Sequence, residues 1–145
     1  MQRWRDLTRE ANRLFENGRL NDARAQYLNA LALARALFDQ WHDPDEAVAA
    51  LVTSHFNLAA LYERLGQPAL SADYLASVHD YLVLVAADQR SPPGLQYAAL
   101  RHSSATYRHA LAFLRRHRDQ QQLHWLVSGH HAHRNALQSG GVSIH

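Results

Sequence analysis

The C-terminal third of this chain holds most of its histidines, which are the side chains most often used to bind metal ions or to respond to pH. The histidines that recur at seven or eight residues are His102, His109, His117, His124 and His131, and a cluster is formed by His130, His131 and His133. A helical zinc site commonly uses two His at i and i+4, and no such pair occurs here. His130 and His133 remain candidates for a metal site. Two alternatives stay open for these histidines, namely a pH-responsive surface and ordinary exposed helix residues.

Arginine is the second concentrated residue type, because all 15 basic residues are Arg. Through residue 89 there are 8 Arg and 12 Asp or Glu, a balance of −4, whereas from residue 90 onward 7 Arg and one acid give +6. This asymmetry predicts an acidic partner or surface. A nucleic-acid interface is an alternative, in which Tyr107 would stack on bases, but the overall charge is +2 and no nucleic-acid-binding module is recognisable. Its phosphate contacts would come from Arg101, Arg108, Arg115, Arg116 and Arg118.

Catalytic motifs are missing from the sequence. It contains no Gly-rich phosphate loop, no Gly-x-Ser-x-Gly elbow and no His-Glu-x-x-His. It also contains no cysteine, which removes disulfides, thiolate metal sites and cysteine nucleophiles. We therefore expect a protein that is not an enzyme and that needs no cofactor.

The stretch from residue 55 to residue 68 predicts the structure that must position these side chains. Leu58, Leu61, Tyr62 and Leu65 follow the i, i+3, i+4, i+7 spacing of one helix face, and Gly66 stands where the helix would end. The small residues at positions 59 and 60 would let a neighbouring helix approach closely.

The same periodicity predicts six helices in all. They run from about Trp4 to Asn17, from an Asn21 cap to about Trp41, from Asp43–Pro44 to Leu65, from Gln67–Pro68 through Val85, from about Leu95 to Arg116, and from Asp119 through Leu137. An Asp119–Gln122 capping pair is expected to open the last helix. Adjacent prolines and a glycine predict an irregular connection over residues 88–94.

Several of these positions together resemble the tetratricopeptide repeat family, a helix-turn-helix repeat. In the central unit the matching residues are His55, Asn57, Leu58, Ala59, Tyr62 and Gly66, and in the first unit they are Ala11, Leu14, Gly18, Ala23, Tyr27, Ala30 and Leu31. The resemblance implies an all-α, right-handed stack of three antiparallel helical hairpins. Ala11, Ala59 and Ala110 are spaced by 48 and 51 residues against about 34 in the family, which predicts longer helices. The third hairpin departs most from the pattern, as expected of a terminal cap.

The resemblance also implies a function, namely a non-catalytic scaffold that holds a peptide or acidic protein segment in a concave groove made by the first, third and fifth helices. Asn12, Asn57 and Arg108 match positions of a clamp for a peptide carboxylate, and Thr8 and Ser104 occupy two further clamp positions. Other residues expected to line this groove are Arg5, Arg9, Phe15, Phe56, Glu63, Arg64, Tyr107 and Arg115. Two alternatives stay open: Asn57 bonding a neighbouring helix backbone, and Arg108 as a solvated surface residue.

The length and the ends of the chain complete the sequence-based expectations. We expect one domain over residues 1–138 and a flexible tail over residues 139–145. The charged N-terminus and the lack of a long apolar run predict a cytoplasmic protein without a membrane segment. Trp4, Trp41 and Trp125 offer apolar area for a possible homo-oligomer.

Overall fold

The computed structural model describes residues 1–128, which form an all-helical stack of hairpins. Its helices are α1 (Gln2–Glu16), α2 (Leu20–Ala36), the 3₁₀ helix η1 (Phe38–Gln40), α3 (Pro44–Arg64), α4 (Pro68–Ala87) and α5 (Pro93–Arg116), and residues 121–128 are again helical. Each helix packs against the next along the chain, and α3 also contacts α5. The predicted all-α class is therefore confirmed. None of the helices within residues 1–128 is long and apolar enough to cross a membrane.

The turns of the first two hairpins share one backbone motif. Gly18 and Gly66 have φ angles of 77° and 75°, in the left-handed region that a glycine adopts at low cost. After Gly18 the next amide, Arg19 N–H, donates to the Leu14 carbonyl at 2.9 Å, and after Gly66 the Gln67 amide donates to the Tyr62 carbonyl at 2.8 Å. These are the hydrogen bonds of a Schellman helix end, so the predicted turn glycines are confirmed at both positions.

Small side chains lie where the helices approach one another. Ala11 and Ala110 are fully buried, and Ala59 is 4% exposed. Ala59 and Ala110 belong to one apolar cluster with Leu123, so the 121–128 segment packs against α3, α4 and α5. The prediction that these alanines permit close packing is consistent with their burial.

Two predictions for the second helix, its end and its N-cap, were wrong. The second helix ends at Ala36 instead of Trp41, because Phe38 and Trp41 are both buried and the chain must turn to place them in the core. Its N-cap is Arg19 instead of Asn21, since the turn after Gly18 leads directly into a helix at Leu20. By contrast, the Asp43 cap is confirmed by its hydrogen bond from the Asp45 amide at 2.9 Å.

The predicted Asp119–Gln122 capping pair is also replaced by other contacts. Gln122 Nε2 donates to the Ala69 carbonyl at 3.3 Å and to Asp73 Oδ1 at 3.1 Å, and thereby ties the 121–128 segment to α4. Residues 129–137 of the predicted sixth helix, and the predicted tail, lie outside the described residues.

Two of the tryptophans expected to offer surface for self-association are used inside the fold. Trp4 and Trp41 pack edge to face with ring centroids 6.3 Å apart, and Trp41 is 7% exposed. Trp125, in contrast, is 74% exposed. The tryptophan argument for a homo-oligomer therefore reduces to Trp125.

Candidate functional site

The first helices of the three hairpins lie side by side in the order α1, α3, α5 and run in the same direction. Between α1 and α3, Trp4 Nε1 donates to Ser54 Oγ at 2.9 Å, and the Arg64 guanidinium lies over the Phe15 ring at 5.4 Å. Between α3 and α5, ion pairs join the two helices near each end of α3, as described next. This is the helix arrangement in which side chains of α1, α3 and α5 can line a common surface.

An acidic residue near each end of α3 holds an Arg-His dipeptide of α5. At the first end, the Asp45 carboxylate pairs with Arg101 and accepts a hydrogen bond from His102 Nε2 at 3.0 Å. At the other end, Glu63 accepts from Arg116 at 3.0 and 3.2 Å and lies 2.7 Å from His117 Nε2. The two ends of the α3–α5 seam are therefore locally neutralised.

The middle of this seam is aromatic. The rings of Phe56 on α3 and His109 on α5 are stacked, with centroids 3.8 Å apart and planes 12° from parallel. Phe56, which was predicted to line the groove, thus contacts the third hairpin directly. His102, His109 and His117 recur at seven or eight residues because this spacing keeps them on the face of α5 that meets α3.

The protonation of the seam follows from burial and neighbouring charge. Burial lowers the pKa of His102, and the charge of Arg101 lowers it further. Burial also lowers the pKa of His109, and the charge of Arg116 adds to this shift, while the Glu63 charge opposes it. Burial raises the pKa of Glu63, but hydrogen bonds from Arg116 and His117 outweigh it, so the net pKa lies below its usual value. At neutral pH the seam therefore contains charged Glu63 and uncharged His102 and His109.

The third Arg-His dipeptide, in the middle of α5, leaves its arginine without an acidic partner. Arg108 is exposed and forms no ion pair within residues 1–128, and the same holds for Arg115 seven residues later and for Arg9 on α1. Ser104, one turn before Arg108, is also exposed. Since α5 has four arginines and no acidic residue, its own sequence provides no compensation.

Asparagine side chains at the predicted clamp positions behave differently from each other. Asn12 Oδ1 accepts a hydrogen bond from the Tyr27 hydroxyl at 2.6 Å, so part of this amide is engaged in holding α2. Asn57 is half-buried and has no hydrogen bond among the described residues, so the alternative of a bond to a neighbouring backbone is not formed there. The Asn57 amide is thus available to a ligand.

Two other predicted groove residues point elsewhere. Thr8 is 8% exposed and its Oγ1 has no hydrogen-bond partner within the described structure, so it cannot present this hydroxyl at an open surface; that prediction was wrong. Tyr107 is half-buried, with its ring 6.3 Å from that of His79 on α4.

Two further predicted groove residues, Phe15 and Arg64, contact each other at the ends of α1 and α3 and form one edge of the surface.

Metal binding finds no support in the part of the chain that can be described. Within residues 1–128 no three side chains from His, Asp and Glu are grouped as metal ligands. His130 and His133, which carried the weaker metal hypothesis, lie outside these residues. His124 Nε2 lies 2.6 Å from the Arg118 carbonyl, which accounts for one further member of the histidine series.

Sequence reasoning missed the acidic partners on α3, although a signal for the seam existed. Arg-His occurs three times, at 101–102, 108–109 and 116–117, a spacing that repeats one helix face. The positions of Asp45 and Glu63 are 18 residues apart, which is five helical turns and therefore again one face. Comparing these two patterns could have paired α3 with α5.

A family model described as a protein of unknown function (DUF2753) matches residues 2–138, which is nearly the whole chain. No curated protein and no solved structure matches this chain.

Proposed function

We propose that this chain, which belongs to the DUF2753 family of proteins of unknown function, is a non-catalytic scaffold of tetratricopeptide type that binds an acidic peptide or protein segment. The binding surface would be the common face of α1, α3 and α5. The observation that carries the proposal is the uncompensated charge of Arg108 between two Arg-His dipeptides that α3 neutralises.

The contrast along α5 matters because the fold supplies an acid for Arg101 and another for Arg116 but none for Arg108. Arg115 and Arg9 add two further exposed cations without a described ion pair. A carboxylate-bearing segment would provide the missing partner, and the guanidinium of Arg108 can donate two parallel hydrogen bonds to it.

Asn57 would contribute recognition of the peptide itself. Its half-buried amide has both a donor and an acceptor, which suits a peptide bond, and neither is used within the described residues. Arginine would then provide attraction for the acidic groups, and the asparagine would fix the backbone of the bound segment. We expect the affinity to fall as salt concentration rises, because Arg108 and Arg115 are exposed and their charges are screened.

A peptide titration tests the proposal. The probes are fluorescent acidic peptides with a free C-terminal carboxylate, and matched peptides in which Gln and Asn replace Glu and Asp. We expect binding to the acidic set alone, with affinity reduced at least about tenfold by Arg108→Ala and partly retained by Arg108→Lys. Arg90→Ala removes one exposed arginine from the connection before α5 and serves as the matched control.

Two results would count against this function. If Arg108→Ala and Asn57→Ala both bind the acidic peptides as the wild type does, the proposed surface is not the binding site. If the peptides do not bind but a single-stranded oligonucleotide does, with a steep loss of affinity as salt rises, the arginines serve phosphate recognition instead.

A further inference from the structure

A second candidate site lies between α2 and α4, which both pack against α3. A cavity of about 230 Å³ opens there, and it is lined by Arg35, Phe38, Leu51, His55, Ser77 and Tyr81. We refer to it as the Arg35 pocket. None of its six lining residues belongs to the surface proposed for the acidic segment, so a ligand in this pocket would be recognised independently of that surface.

The inner part of the pocket is apolar. Phe38 and Leu51 are buried, and the Tyr81 ring packs edge to face on Phe38 with centroids 5.7 Å apart. His55 is buried as well, and its Nδ1 lies 2.7 Å from the Leu51 carbonyl, so this nitrogen is engaged within α3. Burial lowers the pKa of His55 and the Arg35 charge lowers it further, against the effect of the Leu51 hydrogen bond, so the ring is uncharged at neutral pH. The interior therefore favours an uncharged, apolar group.

Arg35 supplies the charge of the pocket. Its guanidinium lines the cavity and acts on side chains of both neighbouring helices, namely His55 of α3 and Tyr74 of α4. Burial raises the pKa of Tyr74 and Tyr62 raises it further, whereas the Arg35 charge lowers it. Arg35 is exposed, and it forms no ion pair within residues 1–128. A cation without an acidic partner thus borders an apolar interior.

Two hydroxyl groups add hydrogen-bond donors beside this cation. Ser77 and Tyr81 both line the pocket from α4, both are exposed, and neither hydroxyl has a hydrogen bond to another described residue. Asp39 does not line the cavity, but its charge reaches Tyr81: burial raises the pKa of Tyr81, and the Asp39 carboxylate raises it further. The Tyr81 hydroxyl is therefore protonated at neutral pH and can donate.

We infer that the Arg35 pocket binds an aromatic carboxylate. The carboxylate would accept hydrogen bonds from the Arg35 guanidinium and from the hydroxyls of α4, and the ring would lie against Phe38, Leu51 and Tyr81. One guanidinium balances one negative charge, which favours a carboxylate over a doubly charged phosphate ester.

A titration of the full chain, labelled with ¹⁵N, with benzoate at neutral pH tests this inference. We expect saturable binding at one site, with the largest amide shifts in NMR spectra at Arg35 and Ser77 and their neighbours. Two probes divide the ligand into its parts: benzamide keeps the ring without the charge, and acetate keeps the charge without the ring. We expect each to bind at least about tenfold more weakly than benzoate.

Matched variants locate the site. Arg35→Gln should reduce the affinity for benzoate at least about tenfold, and because Arg35 is exposed the substitution leaves the core unchanged. Arg24→Gln is the control, since Arg24 lies three turns earlier on α2 and does not line the pocket. Arg108→Ala should also bind benzoate as the wild type does, whereas Arg35→Gln should still bind the acidic peptides.

Four results would overturn the inference. Benzoate binding that is absent from the wild type up to about 10 mM, or unchanged in Arg35→Gln, would exclude the site. Equal binding of benzamide would remove the carboxylate assignment. Amide shifts centred on Arg108 and lost in Arg108→Ala would mean that benzoate occupies the surface proposed for the acidic segment.

Discussion

Phe56 of α3 and His109 of α5 stack face to face at 3.8 Å, between the ion pairs that Asp45 and Glu63 form with Arg101 and Arg116 of α5. The seam between the second and third hairpins thus has an aromatic centre and charged ends. Because the stacked histidine is uncharged at neutral pH, its protonation would add a positive charge close to Arg116. Stability of this seam should therefore depend on pH.

We expect His109→Phe to preserve the stack and to remove the part of this pH dependence that His109 contributes. The pKa of His109 in the folded protein is below its unfolded value of about 6.5, so the unfolded chain binds more protons as the pH falls below that value. The contribution of His109 to stability is thus present above about pH 6.5 and is lost as the pH falls towards the folded pKa.

Urea denaturation at several pH values between about 7.5 and 5 measures this effect. The wild type should lose stability across the range, and His109→Phe should lose less. His124→Phe is the control, because His124 is exposed and lies outside the seam. Identical pH dependence in the wild type and His109→Phe would contradict the assigned role of His109.

The small side chain at position 59 should be required, whereas the one at position 60 should not. Ala59 is 4% exposed in a packed cluster, and its neighbour Ala60 is exposed. Ala59→Leu should therefore destabilise the fold by about 1–3 kcal/mol through overpacking, while Ala60→Leu should change stability by less than about 0.5 kcal/mol. Thermal and urea unfolding compare the two; equal stabilities would show that close helix approach does not depend on Ala59.

Local features of the fold were predictable from the sequence. The turn glycines Gly18 and Gly66 and the Asp43 cap each act within a few residues, so their residue types were sufficient evidence. The helix end before Trp41 was not predictable in this way. Trp41 packs on Trp4, which is 37 positions earlier in the chain, and this distant contact decides where α2 must end.

The candidate site was predictable only where residue type implied exposure. Arg108 and Ser104 were expected on an open surface and are exposed. Thr8 was assigned to the same surface by resemblance, but its burial depends on how α1 packs. The pairing of Asp45 with His102 joins residues 57 positions apart, and helical periodicity within one segment cannot identify such a partner.

Glu63→Gln should weaken the end of the α3–α5 seam and make the fold less sensitive to acid. The folded pKa of Glu63 is below its unfolded value, so its charged form stabilises the protein above about pH 4.3, and this stabilisation is lost as the pH falls through the folded pKa. At neutral pH the loss should be about 1 kcal/mol or less, because Arg116 is half-exposed.

Urea midpoints of the wild type and Glu63→Gln at neutral pH and near pH 3 provide the measurement. The difference between them should shrink as the pH falls, because the wild-type carboxylate becomes protonated. Glu16→Gln, at the exposed end of α1, is a control for the loss of one negative charge. A difference that is constant over this range would mean that the contacts of the Glu63 carboxylate with Arg116 and His117 do not contribute.

Two buried threonines should respond in opposite directions to the same substitution. Thr8 Oγ1 has no hydrogen-bond partner within the described residues, whereas Thr106 Oγ1 donates to the Ser103 carbonyl at 3.0 Å and lies 2.6 Å from His79 Nδ1. Valine has nearly the shape of threonine but no hydroxyl. Thr8→Val should therefore stabilise the protein by about 1 kcal/mol, and Thr106→Val should destabilise it by about 1–3 kcal/mol because it leaves His79 with one partner fewer.

Urea unfolding distinguishes the two variants, and a loss of stability in Thr8→Val would mean that the Thr8 hydroxyl is hydrogen-bonded after all. If Thr8→Val also leaves the affinity for acidic peptides unchanged, position 8 acts through the core of the first hairpin and not through contact with a ligand.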